Sequence, residues 1–332
     1  MALQTLLLLF LGQVVSFNLA ISSFTVSLIT NQGVDAPLTL SFFTYLALAL
    51  VYGTITLHRR QKFLVRWYWY LLLGFVDVQG NFLVTKAYEY TSITSVTILD
   101  CWTIAWVIIL TWLVLGTRYS LWQFFGAGVC LGGLALVLLS DYKPGVEGGS
   151  KPLFGDTLVI AGTVFLSMSN VGMEFCVKKK DRIEVIAMIG LFGMLVSVLE
   201  LIVLKGLSGE KVTWSESKIS AYAGYAVSSF LFYTIVPFVL QISGATLFNL
   251  SLLTSDMWAV AVRTFIYKQQ VDWLYYLAFV LVVVGIFIYS KRKERDADSN
   301  PVLEEASPSP EYCLIDEENA SPGNKFLTSP RN

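Results

Sequence analysis

Eight ionisable side chains sit inside long apolar runs: Asp77, Lys86, Glu89, Asp100, Glu174, Glu200, Asp256 and Arg263. Such groups are costly at membrane depth and face a cavity or a partner. Asp77, Asn81, Thr85 and Tyr88 step by 4, 4 and 3 residues and share one helical face. Thr97, Asp100 and Thr103 step by three, and Asn249, Asp256 and Arg263 recur at seven. These stripes are expected to line one aqueous cavity; the alternative is interhelical hydrogen bonding alone. Three deep aspartates favour the cavity, where a carboxylate can carry a coupling proton or hold a polar or cationic solute. A diphosphate needs Lys and Arg, and only Lys86 and Arg263 are deep. Asp256 and Arg263 are two turns apart, about 10 Å at 1.5 Å per residue, too far to pair. Lys86 has Glu89 one turn on as a partner, or an aspartate of another helix. Glu89, Glu200 and Glu174 are read as lying near helix ends and reaching the interface. Asn18 and Asn170 are added as orienting groups.

The elements that position these residues follow from composition. Of 332 residues, 55% are hydrophobic and 14% charged, and mean hydropathy is +0.64. A soluble domain carries about a quarter charged residues, so a soluble enzyme, a nucleic-acid binder and a disordered chain are excluded. The apolar segments are continuous rather than alternating, which excludes a β-barrel. A polytopic, all-α membrane protein remains, with the bilayer as its surroundings. The net charge of -1 points to no charged partner. One histidine, His58, and four scattered cysteines, Cys101, Cys130, Cys176 and Cys313, build neither a metal cluster nor a disulfide framework. No cofactor is expected.

A helix needs about 20 apolar residues to cross the bilayer core. The sequence places about ten transmembrane helices, near 3–29, 37–57, 67–89, 92–115, 119–140, 154–177, 183–205, 219–242, 245–267 and 271–290. The first is read as a retained helix, because no basic segment and no clear cleavage site accompany it. Basic residues set the orientation. Thirteen lie in the loops after spans two, four and six and just past span ten; six lie on the opposite side. Both termini are therefore expected in the cytosol, at the plasma membrane or an endomembrane.

The two halves look related. Asp100-Cys101-Trp102 recurs as Asp256-Met257-Trp258 after 156 residues, and Asn18 recurs as Asn170 after 152. Tight turns, Glu89–Ser92 and Ile242–Ala245, precede both Asp-x-Trp spans. Five spans per half reverse the second half in the membrane, so the repeat is inverted, a plan recurrent among secondary transporters. The expected organisation is a first five-helix repeat at 1–140, a non-cytosolic loop at 141–153, a second repeat at 154–290 and a disordered cytosolic tail at 291–332.

Smaller features carry two readings each. Gly128 and Gly132 offer a homodimer face or close intramolecular packing, and packing is preferred. Pro237 is a hinge or a tolerated kink. Trp67, Tyr68, Trp69 and Tyr70 read as interfacial anchors; Trp102 and Trp258 could stack on a planar ring or simply pack. In the tail, Tyr312 and Ile315 fit a short sorting signal read by a trafficking adaptor, a pattern that also arises by chance.

The segment Gly74–Trp102, GFVDVQGNFLVTKAYEYTSITSVTILDCW, resembles the F branch of solute carrier family 35, in the drug/metabolite transporter superfamily. The matching elements are Asp77-Val78, Ala87-Tyr88-Glu89-Tyr90-Thr91-Ser92, Thr94-Ser95-Val96 and Leu99-Asp100-Cys101. Gly12-Gln13, Ser169-Asn170-Val171, Val177-Lys178-Lys179, Gly190-Leu191-Phe192-Gly193 and the Asn249–Asp256 region add to it. The resemblance implies ten helices in two inverted repeats, a central cavity and alternating access. The wider family is known for nucleotide-sugar antiport.

The expected function is secondary transport of a small polar organic solute, with a nucleoside- or nucleobase-like solute favoured over a nucleotide sugar. Asp77, Asn81, Asp100, Asn249 and Asp256 are expected to line the site, with Tyr88, Asn18 and Asn170 orienting. An intramembrane aspartyl protease is a second class, but its Gly-x-Gly-Asp motif is absent. A receptor or scaffold without transport is a third.

Overall fold

The computed structural model describes residues 2–31, 37–59, 67–91, 93–141, 151–179, 181–208, 216–255, 257–258 and 273–299. Among them every regular element is a helix: α1 (Ala2–Asn31), α2 (Pro37–Arg59), α3 (Trp67–Ala87), α4 (Ile93–Asp100), α5 (Trp102–Leu115), α6 (Leu121–Asp141), α7 (Pro152–Lys179), α8 (Arg182–Ser208), α9 (Glu216–Leu252) and α10 (Trp273–Ser299). Five contain stretches long and apolar enough to cross a membrane: Leu6–Thr25, Thr39–Arg59, Leu153–Lys179, Arg182–Val203 and Tyr222–Leu252. Shorter apolar helices are Trp102–Leu115, Leu121–Leu136 and Tyr276–Lys291.

Three elements differ from the expected spans. The last helix, α10, runs on to Ser299, so residues 291–299 are helical in place of the expected disordered tail; the other two are broken spans. The span at 92–115 is interrupted at Cys101, where Ile104 N–H bonds Cys101 C=O at 3.1 Å. This is the tighter i+3 step of a 3₁₀ turn, and it falls directly after Asp100. The spans at 219–242 and at 245 onward run on as α9, broken at Gly244 with φ 76° and ψ 164°. Only glycine adopts that conformation without strain. The break lies seven residues beyond Pro237, which stays inside the helix. We call residues before and after Gly244 the first and second arms of α9.

Helices pair through small residues, which permit close backbone approach. α2 lies along α8, α6 along α10, α1 along α9 and α3 along α7. Gly190 meets the Leu48–Ala49 backbone, and Gly162 meets Val84 and the Gly80 carbonyl. Between α6 and α10, Gly126 faces Gly285 and Tyr289, and Gly133 faces Val282 and Ala278. Gly128 and Gly132 have open space beside them instead. The preferred reading of that pair as intramolecular packing is therefore corrected: Gly126 and Gly133, seven apart, do that job from the next face.

The main apolar core joins α1, α2, α3, α5, α7, α8 and α9 through Val15, Tyr45, Tyr70, Val107, Met173, Ile189 and Phe248. At the end carrying the basic residues, Arg59 of α2 pairs with Asp181 at 3.0 Å, and Tyr70 donates to buried Glu184 at 3.0 Å.

A Cβ at position 285 would meet Cys130 Sγ at 2.5 Å and the Gly126 carbonyl at 2.6 Å. Gly285→Val should therefore cost about 1–3 kcal/mol and lower the melting temperature in detergent. Gly128→Ala should leave it unchanged. Equal melting of the two variants would contradict this packing.

Candidate functional site

One cavity of about 350 Å³ lies among α1, α2, α3, α4, α5, α6, α7 and α9. A volume near the low end of small-molecule sites suits a compact solute. Its lining residues come from the α1 C-terminal half, the α2 N-terminal half, the α3 C-terminal half, the α4–α5 interruption, the middle of α7 and both arms of α9, with Leu134 of α6. Two of its lining residues, Ser23 and Tyr88, are exposed at the end of the bundle carrying the α3–α4 turn, and we take that end as its mouth.

Asp77 is 4% exposed and is held from three other helices. Tyr45 of α2 and Tyr233 of α9 each donate a hydroxyl to Oδ2 at 2.6 Å, and Ser169 of α7 donates to Oδ1 at 2.6 Å. Asn81, one turn on, donates to the Asp77 carbonyl at 2.8 Å and to the Tyr233 hydroxyl at 3.3 Å. Buried polar groups require such partners, and here the partners also tie four helices together.

Asp100 has the opposite setting. It ends α4 at the interruption, is exposed on the cavity wall, and accepts one long bond, 3.3 Å from the Thr103 hydroxyl. Its carboxylate is thus available to a solute. Across the cavity, Asn170 of α7 donates to Asn249 Oδ1 at 3.1 Å, and Asn249 donates to the Ala245 carbonyl at 2.8 Å.

The cavity thus brings together Asp77, Asn81, Tyr88, Asp100, Asn170 and Asn249. Asn18 is buried beside it, where its Oδ1 accepts from Ser228 at 2.7 Å. Lys86 faces elsewhere and pairs with Glu89 at 2.6 Å. Asp256, Arg263, Tyr312 and Ile315 lie outside the described residues. Trp102 is exposed and off the cavity, and the Trp258 indole donates to Gln13 at 3.1 Å. Glu200 is half-buried and bonded by Gln79. Glu174 does not reach an interface. It is buried, salt-bridged to Lys178 at 2.5 Å, and accepts the Ala245 N–H at 2.7 Å.

Sequence reasoning missed Tyr45, Tyr225, Phe232, Tyr233 and Phe248, the aromatic part of the wall. They sit in apolar runs at no telling spacing. Among the described lining residues there is no Lys or Arg.

The family model described as Solute carrier family 35 matches residues 1–291. Mouse solute carrier family 35 member F2 is 32% identical over 302 residues, covering 87% of this chain and 79% of the relative. The Xenopus tropicalis protein of that name is 31% identical over 299 residues, covering 86% and 76%. An uncharacterized solute carrier family 35 member of Schizosaccharomyces pombe is 33% identical over 287 residues, 84% of this chain and 57% of that protein. A solved crystal structure, 16% identical, superposes with a TM-score of 0.70 over 88% of this chain and 98% of its own; at that identity it supports the fold alone.

The two aspartates should separate in a melting experiment. Asp77→Ala strands three hydroxyls and should destabilise by about 1–3 kcal/mol or more. Asp100→Asn gives up one long bond and should melt within about 0.5 kcal/mol of the native protein. A destabilisation by Asp100→Asn as large as that of Asp77→Ala would contradict the division.

Proposed function

The chain belongs to solute carrier family 35, and on that premise we propose that it is a secondary transporter of a small polar solute, nucleoside- or nucleobase-like. It is an integral, multi-pass membrane protein. The observation that carries the reading is chemical. The cavity wall offers an available carboxylate, three amides and several aromatic rings, and no cation among the described residues.

A solute with hydrogen-bond donors can place one on Asp100, while Tyr88, Tyr225 and Phe232 offer faces to a planar ring. Asn170 and Asn249 fix its orientation from the opposite wall. Asp77 keeps its hydroxyl partners and holds the wall in shape. Nucleotide-sugar exchange is the alternative on family grounds. It needs cations at the phosphates, and the one deep lysine described is already engaged by Glu89.

Alternating access is the mechanism we assign, with two inverted five-helix repeats that rock about the cavity. The helix pairing supports it. α2 on α8 and α6 on α10 each join equivalent spans, and α1 on α9 is mirrored by α3 on α7. The basic-residue asymmetry puts both termini in the cytosol and the cavity mouth on the other side. Asp100 either holds the solute or carries a coupling proton. A solute-carrier relationship favours transport over catalysis at the deep aspartates.

Asp100→Asn should lower uptake of nucleosides or nucleobases into proteoliposomes by about tenfold or more, the scale of one hydrogen bond to a charged group. Protein yield and melting temperature should stay native. Native uptake by a folded Asp100→Asn protein would remove the cavity role.

A further inference from the structure

α7 and the second arm of α9 are joined by two rungs one helical turn apart. In the first, Asn170 donates to Asn249 at 3.1 Å; in the second, Glu174 Oε2 accepts the Ala245 N–H at 2.7 Å. Asn249 also donates to the Ala245 carbonyl at 2.8 Å, so both rungs close on one turn of α9. The first rung lines the cavity. The second lies one turn farther from the mouth, buried, where the cavity ends.

Ala245 follows the break at Gly244, so its N–H belongs to the first turn of a new helical arm. First-turn N–H groups have no intrahelical acceptor. Glu174 supplies one, and a carboxylate there is further favoured by the helix dipole. The other Glu174 oxygen holds Lys178 at 2.5 Å.

Shifted by 152 residues, Asn18 and Ser22 of α1 stand where Asn170 and Glu174 stand on α7. The counterpart of the second arm of α9 is α4. Among the described residues α1 and α4 do not pack along one another as α7 and α9 do. Asn18 and Ser22 instead bond Ser228 of the first arm of α9, each at 2.7 Å. The cavity opens on that side.

We propose that Glu174 is the latch of the closed end: a positioning residue whose bond to Ala245 keeps the second arm of α9 against α7. The proposal rests on the inverted-repeat transporter reading above. Release of Ala245 lets the second arm swing and opens the cavity away from its present mouth. Asn18 and Ser22, turning from Ser228 toward α4, then close that mouth. The same turn of α9 carries Asn249, so a solute bound between Asn170 and Asn249 sits directly on the latch.

The test uses the full chain with Cys130, Cys176 and Cys313 replaced by alanine and Cys101, on the cavity wall, retained. A membrane-impermeant maleimide is applied to either face of sealed vesicles. The parent protein should react mainly from the mouth face. Glu174→Ala should speed reaction from the opposite face by about tenfold, the population shift expected from one charged hydrogen bond. Glu174→Gln, which keeps an oxygen for the Ala245 N–H, should stay near the parent rate. Ala245→Pro removes the N–H while proline is tolerated in a first helical turn, and it should behave as Glu174→Ala.

If both disruptive variants fold and react from the opposite face at the parent rate, the latch is wrong and the transporter reading stands. Should Glu174→Ala not fold, Ala245→Pro decides alone by the same criterion. If the parent reacts equally from both faces, it has no closed end at rest and the latch is wrong, while alternating access stands; if neither the parent nor any variant ever reacts from the face opposite the mouth, alternating access itself is overturned.

Discussion

A carboxylate buried in an apolar bundle must be fully hydrogen-bonded or it destabilises the fold, and Asp77 meets that requirement with groups from other helices. Its three hydroxyl donors come from α2, α7 and α9, at 2.6 Å each. The bonds fix where those helices stand around α3, and so fix the cavity wall. Every other feature of the site inherits that geometry. Asn81 is oriented by the same tyrosine, and the aromatic wall is Tyr45 and Tyr233 seen from the cavity side. A deep aspartate here builds the site, whereas Asp100, at the α4–α5 turn, keeps its carboxylate nearly unengaged, with one long bond from Thr103 at 3.3 Å.

α7 is the second organising element. Near its start, Asp156 accepts from the Thr91 hydroxyl at 2.9 Å, and the Lys151 N–H just before it bonds the Tyr90 carbonyl at 3.2 Å, both at the α3–α4 turn. In its middle, Ser169 and Asn170 hold Asp77 and Asn249; near its end, Glu174 holds the break in α9. From Asp156 to Glu174 is about 27 Å at 1.5 Å per residue, close to the thickness of a bilayer core. One helix therefore touches both turns and both walls. That is the mechanical arrangement needed if the two ends of the cavity are to open in alternation.

The sequence made the helices and one face of the site legible. Apolar length alone marked the spans, because a bilayer demands it. The 4-4-3 spacing of Asp77, Asn81, Thr85 and Tyr88 placed them on one face, and all four line the cavity. Other features depend on neighbours that no local pattern names. Tyr233 is 156 residues from Asp77, and the Glu174–Ala245 contact spans 71. Glu174 reads as interfacial from its place near the end of its span; it is buried instead, where it accepts the Ala245 N–H at the kink. Gly126 and Gly133, rather than Gly128 and Gly132, face α10 because the direction of the partner helix sets the phase. The pairing of Lys86 with Glu89 is one of two partners that the sequence offers, because three residues bring side chains to one helical face, and the structure has that pair.

The central claim is that the cavity takes a solute without negative charge, and ligand-dependent melting of the purified protein in mild detergent tests it most directly. A solute at 100 times its dissociation constant stabilises the folded state by about 2.7 kcal/mol, an easily measured shift. The account predicts a rise in melting temperature with one or more uncharged nucleosides or nucleobases, and none with nucleotide sugars. A rise with nucleotide sugars alone would contradict it, and would mean that cations such as Lys86 and Arg263 govern the site.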